Sequence, residues 1–258
     1  MEIADSHAHL DMSEFDPDRE EVVGRARAGG VSCILCPIDA TAPESLSRIL
    51  DLAHEFPGIA AAAGIHPHQA KVYAPSLLDE ISRLAGAGRI RAIGEIGIDH
   101  HYDFSPAASQ AEVFRAQLRL ARELGLPVIV HSREAGKEVL AAIREEGFDR
   151  GGVLHCFTED RETAERMIDR GFLVSFSGIL TYRSAGSLRD IAAALPLDKI
   201  LIETDSPYLV PQALRGARKR NEPLFVVETA KVLAGLRNMP LDEIADHTLR
   251  NYRALFRV

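Results

Sequence analysis

Eight short apolar runs alternate with helical stretches along the whole of this 258-residue chain. Most runs are almost continuously apolar, as strands of a parallel sheet covered on both faces require. They span residues 3–6, 31–38, 59–64, 91–98, 128–131, 152–157, 173–176 and 200–204. Eight strand–helix units in about 250 residues match a TIM (β/α)8 barrel, and we predict that fold, with residues 1–258 as a single domain. A doubly wound sheet is the alternative, but no GxGxxG motif follows the first run.

Local signals set the expected ends of several helices. A capping box beginning at Ser109 predicts a helix that stops at Gly125. Thr158 is expected to cap another helix, and Pro223 to open a third. The apolar periodicity over residues 241–256 predicts a last amphipathic helix.

Composition restricts the function classes. A net charge of −8 argues against a broad basic surface for nucleic acid. No apolar run reaches the ~20 residues that span a bilayer, and no secretory signal is visible, so we expect a cytoplasmic protein without a membrane partner. Cys33 and Cys36 form a CxxC inside a predicted strand. Residues three apart on a strand face opposite ways, so we interpret both as core packing.

Ligand-type residues stand where the predicted strands end. His7 and His9, two apart on a strand, face the same way and could bind one metal ion together. In a TIM barrel the carboxyl ends of the strands form the active site. Six of the ten histidines and two carboxylates lie at the predicted strand ends: His7, His9, His66, His68, Glu95, His131, His155 and Asp205. Any one could be a packing or surface residue, but burying the whole set without a partner would be costly. The other four are expected to be solvated: His54, His100, His101 and His247.

Six segments bear a specific resemblance to a known family. Residues 5–11, 64–68, 94–99, 128–133, 155–158 and 203–209 follow the order and spacing of the TatD family. These are metal-dependent deoxyribonucleases within the amidohydrolase-like TIM barrels, and the resemblance covers essentially the whole chain.

The resemblance implies a site with two divalent ions, for which Mg, Mn and Zn are the candidates. It implies these metal ligands: His7, His9, Glu95, His131, His155 and Asp205. Glu95 would bridge the two ions, and Asp205 would also orient or deprotonate the attacking water, so Glu95 and Asp205 are the expected catalytic residues. His66 and His68 match a motif that contacts substrate or supports the ligands.

Substrate-binding residues are less sharply indicated. Arg215 and Arg218 lie in a basic segment after the last strand, where this fold often binds phosphate. A solvated basic loop is an equal alternative, and the segment departs from the family pattern by inserted residues. Four aromatic residues could stack on bases or pack at the rim: Tyr102, Phe157, Tyr182 and Tyr208.

The resulting prediction is a monomeric deoxyribonuclease with 3'-5' exonuclease-like action, which cleaves phosphodiester bonds of single-stranded DNA or DNA ends with a metal-activated water. One alternative is a metal-dependent amidohydrolase or esterase acting on a non-nucleic-acid or aminoacyl-tRNA ester. Another is a non-catalytic metal-binding barrel, which the intact set of ligand-type residues argues against.

Overall fold

A computed structural model describes all residues from Met1 to Val258. Eight strands form one parallel sheet in the order β1 to β8. The strands are β1 (Ile3–Asp5), β2 (Val31–Asp39), β3 (Ile59–Gly64), β4 (Ala92–Asp99), β5 (Val128–Arg133), β6 (Gly152–Leu154), β7 (Phe172–Phe176) and β8 (Ile200–Ile202). The helices between and after them are α1 (Arg19–Ala28), α2 (Pro43–Glu55), α3 (Pro75–Gly86), α4 (Ala107–Leu124), α5 (Gly136–Glu145), α6 (Arg161–Ile168), α7 (Gly186–Ala194), α8 (Val226–Arg237) and α9 (Leu241–Phe256).

Backbone hydrogen bonds join the first and last strands. The Ser6 N–H donates to the Ile202 carbonyl at 3.1 Å, and the Asp205 N–H donates to the His7 carbonyl at 2.9 Å. Each strand pairs in parallel with its sequence neighbour. The sheet therefore closes on itself, and the predicted TIM barrel is confirmed.

Two apolar clusters lie on opposite sides of the barrel wall. The inner cluster takes alternate residues of the strands and three from α9: Ala4, Cys33, Leu35, Ala62, Ala92, Ile129, Val153, Leu201, Leu249, Tyr252 and Phe256. The larger cluster packs the outer face of the strands against the helices and includes Cys36. Cys33 and Cys36 are thus free thiols on opposite faces, as predicted.

Two predicted helix starts are wrong. Helix α4 begins at Ala107 after Pro106, so Ser109 lies inside the helix and does not cap it. Asp160, and not Thr158, caps α6, because its side chain accepts the Thr163 N–H. The predicted end of α4 is confirmed, since Gly125 adopts a left-handed conformation at φ 69°.

Other boundaries need smaller corrections. Pro223 opens a 3-10 turn, and α8 follows at Val226. The boundaries of α9 are as predicted. Strands β6 and β8 end two or three residues before their predicted ends, so His155 and Asp205 lie on loops just beyond the sheet. No helix in the structure combines the length and apolar character needed to cross a membrane.

Candidate active site

The eight ligand-type residues converge at the carboxyl end of the barrel. Strand parity accounts for two of them, because His131 comes two residues after the inward-facing Ile129 and His155 two after Val153. It does not account for Glu95, which comes three residues after the inward-facing Ala92, because the register of β4 shifts between Ile93 and Ile96. A cavity of about 870 Å³ opens here. Seven of the eight residues line it: His9, His66, His68, Glu95, His131, His155 and Asp205. His7 lies fully buried beneath the cavity.

Glu95 lies between two groups of imidazoles: the first group is His7 and His9, and the second group is His131 and His155. Its Oε2 atom is 3.3 Å from His7 Nε2 and 3.9 Å from His9 Nε2. Its Oε1 atom is 2.6 Å from His155 Nε2 and 2.9 Å from His131 Nδ1. Each carboxylate oxygen therefore faces a different pair of ring nitrogens, so Glu95 could contribute one oxygen to each of two groups of ligands.

Asp205 completes the first group. Its Oδ1 atom is 3.3 Å from His9 Nε2 and 3.8 Å from His7 Nε2. The backbone of Asp205 is left-handed, with φ 54°, a conformation that aspartate tolerates better than most residues. The hydrogen bond from its N–H to the His7 carbonyl fixes this turn against the end of β1.

Two buried carboxylates orient the imidazoles of the second group. His155 Nδ1 is 3.2 Å from Glu203 Oε1, and His131 Nε2 is 3.0 Å from Asp99 Oδ2. A ring nitrogen that donates its proton to a carboxylate leaves the other nitrogen's lone pair free for a metal. Glu203 and Asp99 are not among the residues predicted for the site from sequence. A signal for both was present, since Asp99 ends β4 four residues after Glu95, and Glu203 follows β8 two residues before Asp205.

His66 presents a proton, and not a lone pair, to the centre. Its Nδ1 atom accepts the His68 backbone N–H at 3.1 Å, so the ring proton belongs on Nε2. That Nε2 atom is 3.4 Å from Glu95 Oε1. His68 Nε2 lies 2.9 Å from Asp99 Oδ2. Both histidines therefore lie beside the predicted metal ligands, and their role in substrate contact or ligand support stays a prediction.

Burial and the neighbouring charged groups have opposite effects on the pKa of each of these side chains. Burial would raise the pKa of Glu95, but the charges of His155 and His66 and hydrogen bonds from neighbouring imidazoles hold that pKa well below its usual range. Burial would lower the pKa of His9, but Asp205 outweighs it and raises the pKa to about 9. Glu95 is thus an anion in a buried site that attracts positive charge.

The donor set fits divalent cations. The Nε2 atoms of His7 and His9 are only 3.2 Å apart and face the same two carboxylates. The ligand atoms of His7, His9 and Glu95 all lie within 4.8 Å of one another, and so do those of Glu95, His131 and His155. Imidazole ligands suit Zn, and carboxylate ligands suit Mn and Mg. In this arrangement a cation would use the lone pairs of both His7 and His9.

Backbone strain is concentrated at the same cavity. Six non-glycine residues have positive φ, and two of them, Asn238 and Arg257, cap helices. The other four line the cavity: Glu134, Cys156, Asp205 and Leu209. Such conformations persist where the surrounding structure enforces them, commonly at functional sites.

The predicted phosphate-binding arginines do not line the cavity. The Arg215 guanidinium lies 4.0 Å from the centre of the Tyr182 ring, and Arg218 is 5.8 Å from the Phe225 ring. Of the four aromatic residues considered for base stacking, Phe157 is buried in the core, and Tyr102 and Tyr208 line the cavity.

The remaining histidines lie outside the centre. His100 pairs with Glu138 and His101 with Glu134, both at the surface. His54 is exposed on α2.

A TIM barrel with histidines and carboxylates converging at the carboxyl ends of its strands defines the class of metal-dependent hydrolases. The comparisons with known proteins identify the family: the family profile described as "TatD related DNase" matches residues 4–257, and the chain belongs to this family. It is therefore a metal-dependent hydrolase of the TatD type that acts on ester bonds.

Relatives match along nearly their whole length. The uncharacterized metal-dependent hydrolase YabD of Bacillus subtilis is 40% identical over 255 residues, covering 98% of each chain. The 3'-5' ssDNA/RNA exonuclease TatD of a Rahnella species is 38% identical, covering 96% of this chain and 95% of the relative. The crystal structure of the TatD homologue YjjV from Escherichia coli is 32% identical, with a TM-score of 0.92, and the match covers 99% of this chain and 98% of that one.

Proposed function

We propose that this protein is a two-metal nuclease that removes nucleotides from the ends of single-stranded DNA. The observation that carries the proposal is Glu95, whose two oxygens face two separate imidazole groups. The Rahnella relative, named as a 3'-5' ssDNA/RNA exonuclease, supports the substrate class and the direction of cleavage. We further propose that residues 1–258 act as one domain and as a monomer.

The proposed metal ligands divide into two sites that share Glu95. One site comprises His7, His9 and Asp205, and the other comprises His131 and His155. Two divalent cations bound here, with Mg, Mn and Zn as candidates, would supply positive charge that polarises the phosphoryl group and acidifies water. Four neutral imidazoles and two carboxylates leave such a centre cationic, so an anionic phosphodiester is favoured over a neutral amide or ester.

The side chains carry the remaining chemistry. Asp205 accepts a proton from the attacking water as the water oxygen bonds to phosphorus and the bond from phosphorus to the sugar oxygen breaks. General-base catalysis of this kind contributes about 10²–10⁴-fold to a rate. His66 Nε2–H, with its tautomer fixed by the His68 N–H, donates to a phosphoryl oxygen and stabilises the charge that develops there.

A nuclease assay tests the proposal. Labelled linear single-stranded, linear duplex and covalently closed circular DNA are incubated with Mg, Mn or Zn, with Glu95→Ala as the inactive control. We expect the fastest release of mononucleotides from linear single strands and a loss of about 10²–10⁴-fold in Asp205→Asn. Equal rates on linear and closed circular DNA would contradict the preference for ends. Turnover of carboxylic esters or amides without phosphodiester cleavage would favour the amidohydrolase alternative.

The same assay decides the role of the basic segment. If Arg215→Ala and Arg218→Ala leave DNA cleavage unchanged while Asp205→Asn abolishes it, the segment is not a phosphate clamp. Their position outside the cavity lining favours that result.

A further inference from the structure

Exposed aromatic side chains are concentrated at the mouth of the cavity. Of the large hydrophobic side chains of the chain, six are exposed: Met1, Val72, Tyr102, Phe104, Tyr208 and Val258. All three aromatic members belong to the mouth, since Tyr102 and Tyr208 line the cavity and Phe104 stacks on Tyr102. Single exposed apolar residues are ordinary, but a stacked exposed pair beside a catalytic centre indicates a binding surface.

The pair Tyr102 and Phe104, here called the aromatic platform, is held in place by buried groups. The centroids of the two rings are 5.3 Å apart, and the angle between the ring planes is 20°. Asp99 Oδ1 accepts the N–H of Tyr102 at 3.0 Å, while its Oδ2 faces the metal ligand His131. Ser105, also buried, donates to the His68 carbonyl at 2.8 Å. The platform is therefore preorganised, and it is tied through one carboxylate to the metal-ligand set.

Arg133 lies beside the platform and lines the same cavity as the proposed metal ligands. It follows His131 by two residues at the end of β5, so both side chains leave the strand on the same face. Its guanidinium carbon is 5.0 Å from the centre of the Tyr102 ring. It has no carboxylate within ion-pair distance, and it is the one arginine or lysine that lines the cavity. An unpaired guanidinium at this position suits a phosphate.

We propose that the aromatic platform stacks on an unpaired base of the substrate while Arg133 binds the phosphate of that nucleotide. This inference rests on the proposed nuclease function and goes beyond it by naming the residues that recognise the strand. A base must be free of a duplex neighbour to lie on the platform, because a base inside a duplex is stacked on both faces. The platform thus selects single strands, with little dependence on sequence.

Steady-state kinetics on three substrates test this role. The first is a single-stranded oligonucleotide, the second is the same strand with an abasic terminal residue, and the third is methyl p-nitrophenyl phosphate, which has no base. In the variant Tyr102→Leu/Phe104→Leu, which keeps apolar bulk without aromatic rings, we expect KM for the intact strand to rise about tenfold. We expect unchanged turnover of methyl p-nitrophenyl phosphate and no further loss on the abasic strand.

Arg133→Ala should raise KM for the strand and reduce the slope of log affinity against log salt by about one, whereas Arg133→Lys should keep most of that slope. The matched control is Val72→Ala, an exposed apolar side chain outside the cavity lining, which should behave as the wild type.

Several results would overturn the inference. Normal cleavage of the intact strand by the double leucine variant would show that the platform binds no base. If the double leucine variant loses activity equally on all three substrates and also binds less metal, the segment that carries Tyr102 and Phe104 only supports the metal centre. A wild-type protein that hydrolyses methyl p-nitrophenyl phosphate but neither oligonucleotide would instead overturn the nuclease proposal, and this inference with it.

Discussion

At the scale of single residues, we expect substitutions of Glu95 and of His9 to change the number of bound metal ions differently. His9 belongs to the first group alone, whereas Glu95 contacts both groups. We expect His9→Ala to reduce metal content from about two ions to about one per chain, and Glu95→Ala to weaken both sites. Elemental analysis of purified protein, with circular dichroism as a check on folding, measures this.

The exposed His54→Ala on α2 is the control for that measurement and should keep the wild-type metal content. Unchanged metal in His9→Ala would show that His9 is not a ligand. Loss of both ions in His9→Ala would show that the two sites do not load separately.

A second residue-scale prediction concerns Asp99, which accepts from His131 and His68 through one oxygen. Asparagine has nearly the same shape but only one acceptor oxygen and no charge. We expect Asp99→Asn to reduce metal affinity or activity about 10–100-fold, measured by metal titration and by DNA cleavage. Asp103→Asn, an exposed change in the same loop, should have no effect. If both variants behave alike, Asp99 does not orient His131.

At the scale of elements, charged side chains fasten the loop after β8 to the start of α1. Arg220 donates to Asp18 at 2.7 Å and 2.9 Å, and Arg25 donates to both Asp18 and Glu222. Asn221 is buried and donates to the Thr204 carbonyl, one residue before Asp205. The segment that resembled a phosphate clamp therefore contains residues that hold the Asp205 loop in position.

The pKa of Asp18 predicts how the stability that this connection contributes depends on pH. The hydrogen bonds from Arg220 and Arg25 lower its pKa to about 2, below the ordinary 3.8. A depressed carboxyl pKa stabilises the fold fully above the unfolded value, and that contribution is lost as the pH falls through about 2. We expect Asp18→Asn to reduce the free energy of unfolding by about 1 kcal/mol at pH 7, after allowing for partial exposure.

The difference between wild type and Asp18→Asn should narrow as the pH falls from about 4 to about 2, as urea unfolding at a series of pH values would measure. Asp79→Asn, an exposed carboxylate on α3 without an ion pair, is the control. A difference that stays constant over this range would show that the charge of Asp18 is not the cause.

At the scale of the whole molecule, α9 closes the amino end of the barrel opposite the active site. Its side chains Leu249, Tyr252 and Phe256 belong to the same cluster as the inward-facing strand residues. Tyr252 and Phe256 are both buried, and the Tyr252 hydroxyl has no hydrogen-bond partner. Helix α9 thus packs against the end of the barrel that lies opposite the candidate active site.

From this division we expect substitutions at the amino end of the barrel to change stability and substitutions at the carboxyl end to change activity. Phe256→Ala should lower the free energy of unfolding by about 3–5 kcal/mol and leave KM for DNA unchanged in the folded fraction. Tyr252→Phe is the matched change nearby and should be neutral or stabilising, because it removes an unpartnered buried hydroxyl. Chemical denaturation and steady-state kinetics measure both. A large rise in KM in Phe256→Ala would contradict the separation.

Much of this architecture could be predicted from sequence because it follows from local periodicity. The continuous apolar runs identified all eight strands, and the apolar period of residues 241–256 gave α9 with its correct ends. Helix starts were less predictable: both Ser109 and Thr158 can cap a helix, but the chain geometry around Pro106 and Asp160 determined where α4 and α6 begin.

The sequence by itself determined which residues lie near the carboxyl end of the barrel, because parallel strands all run toward the same edge. Strand parity also places His131 and His155 on the inner face, whereas Glu95 faces inward only because the register of β4 shifts. Only the tertiary structure decided how they are paired. That Glu95 directs one oxygen to each imidazole group, that Asp99 and Glu203 orient His131 and His155, and that Arg133 lies inside the cavity all depend on contacts between different strands. Such contacts depend on the register and closure of the barrel, which no local pattern encodes.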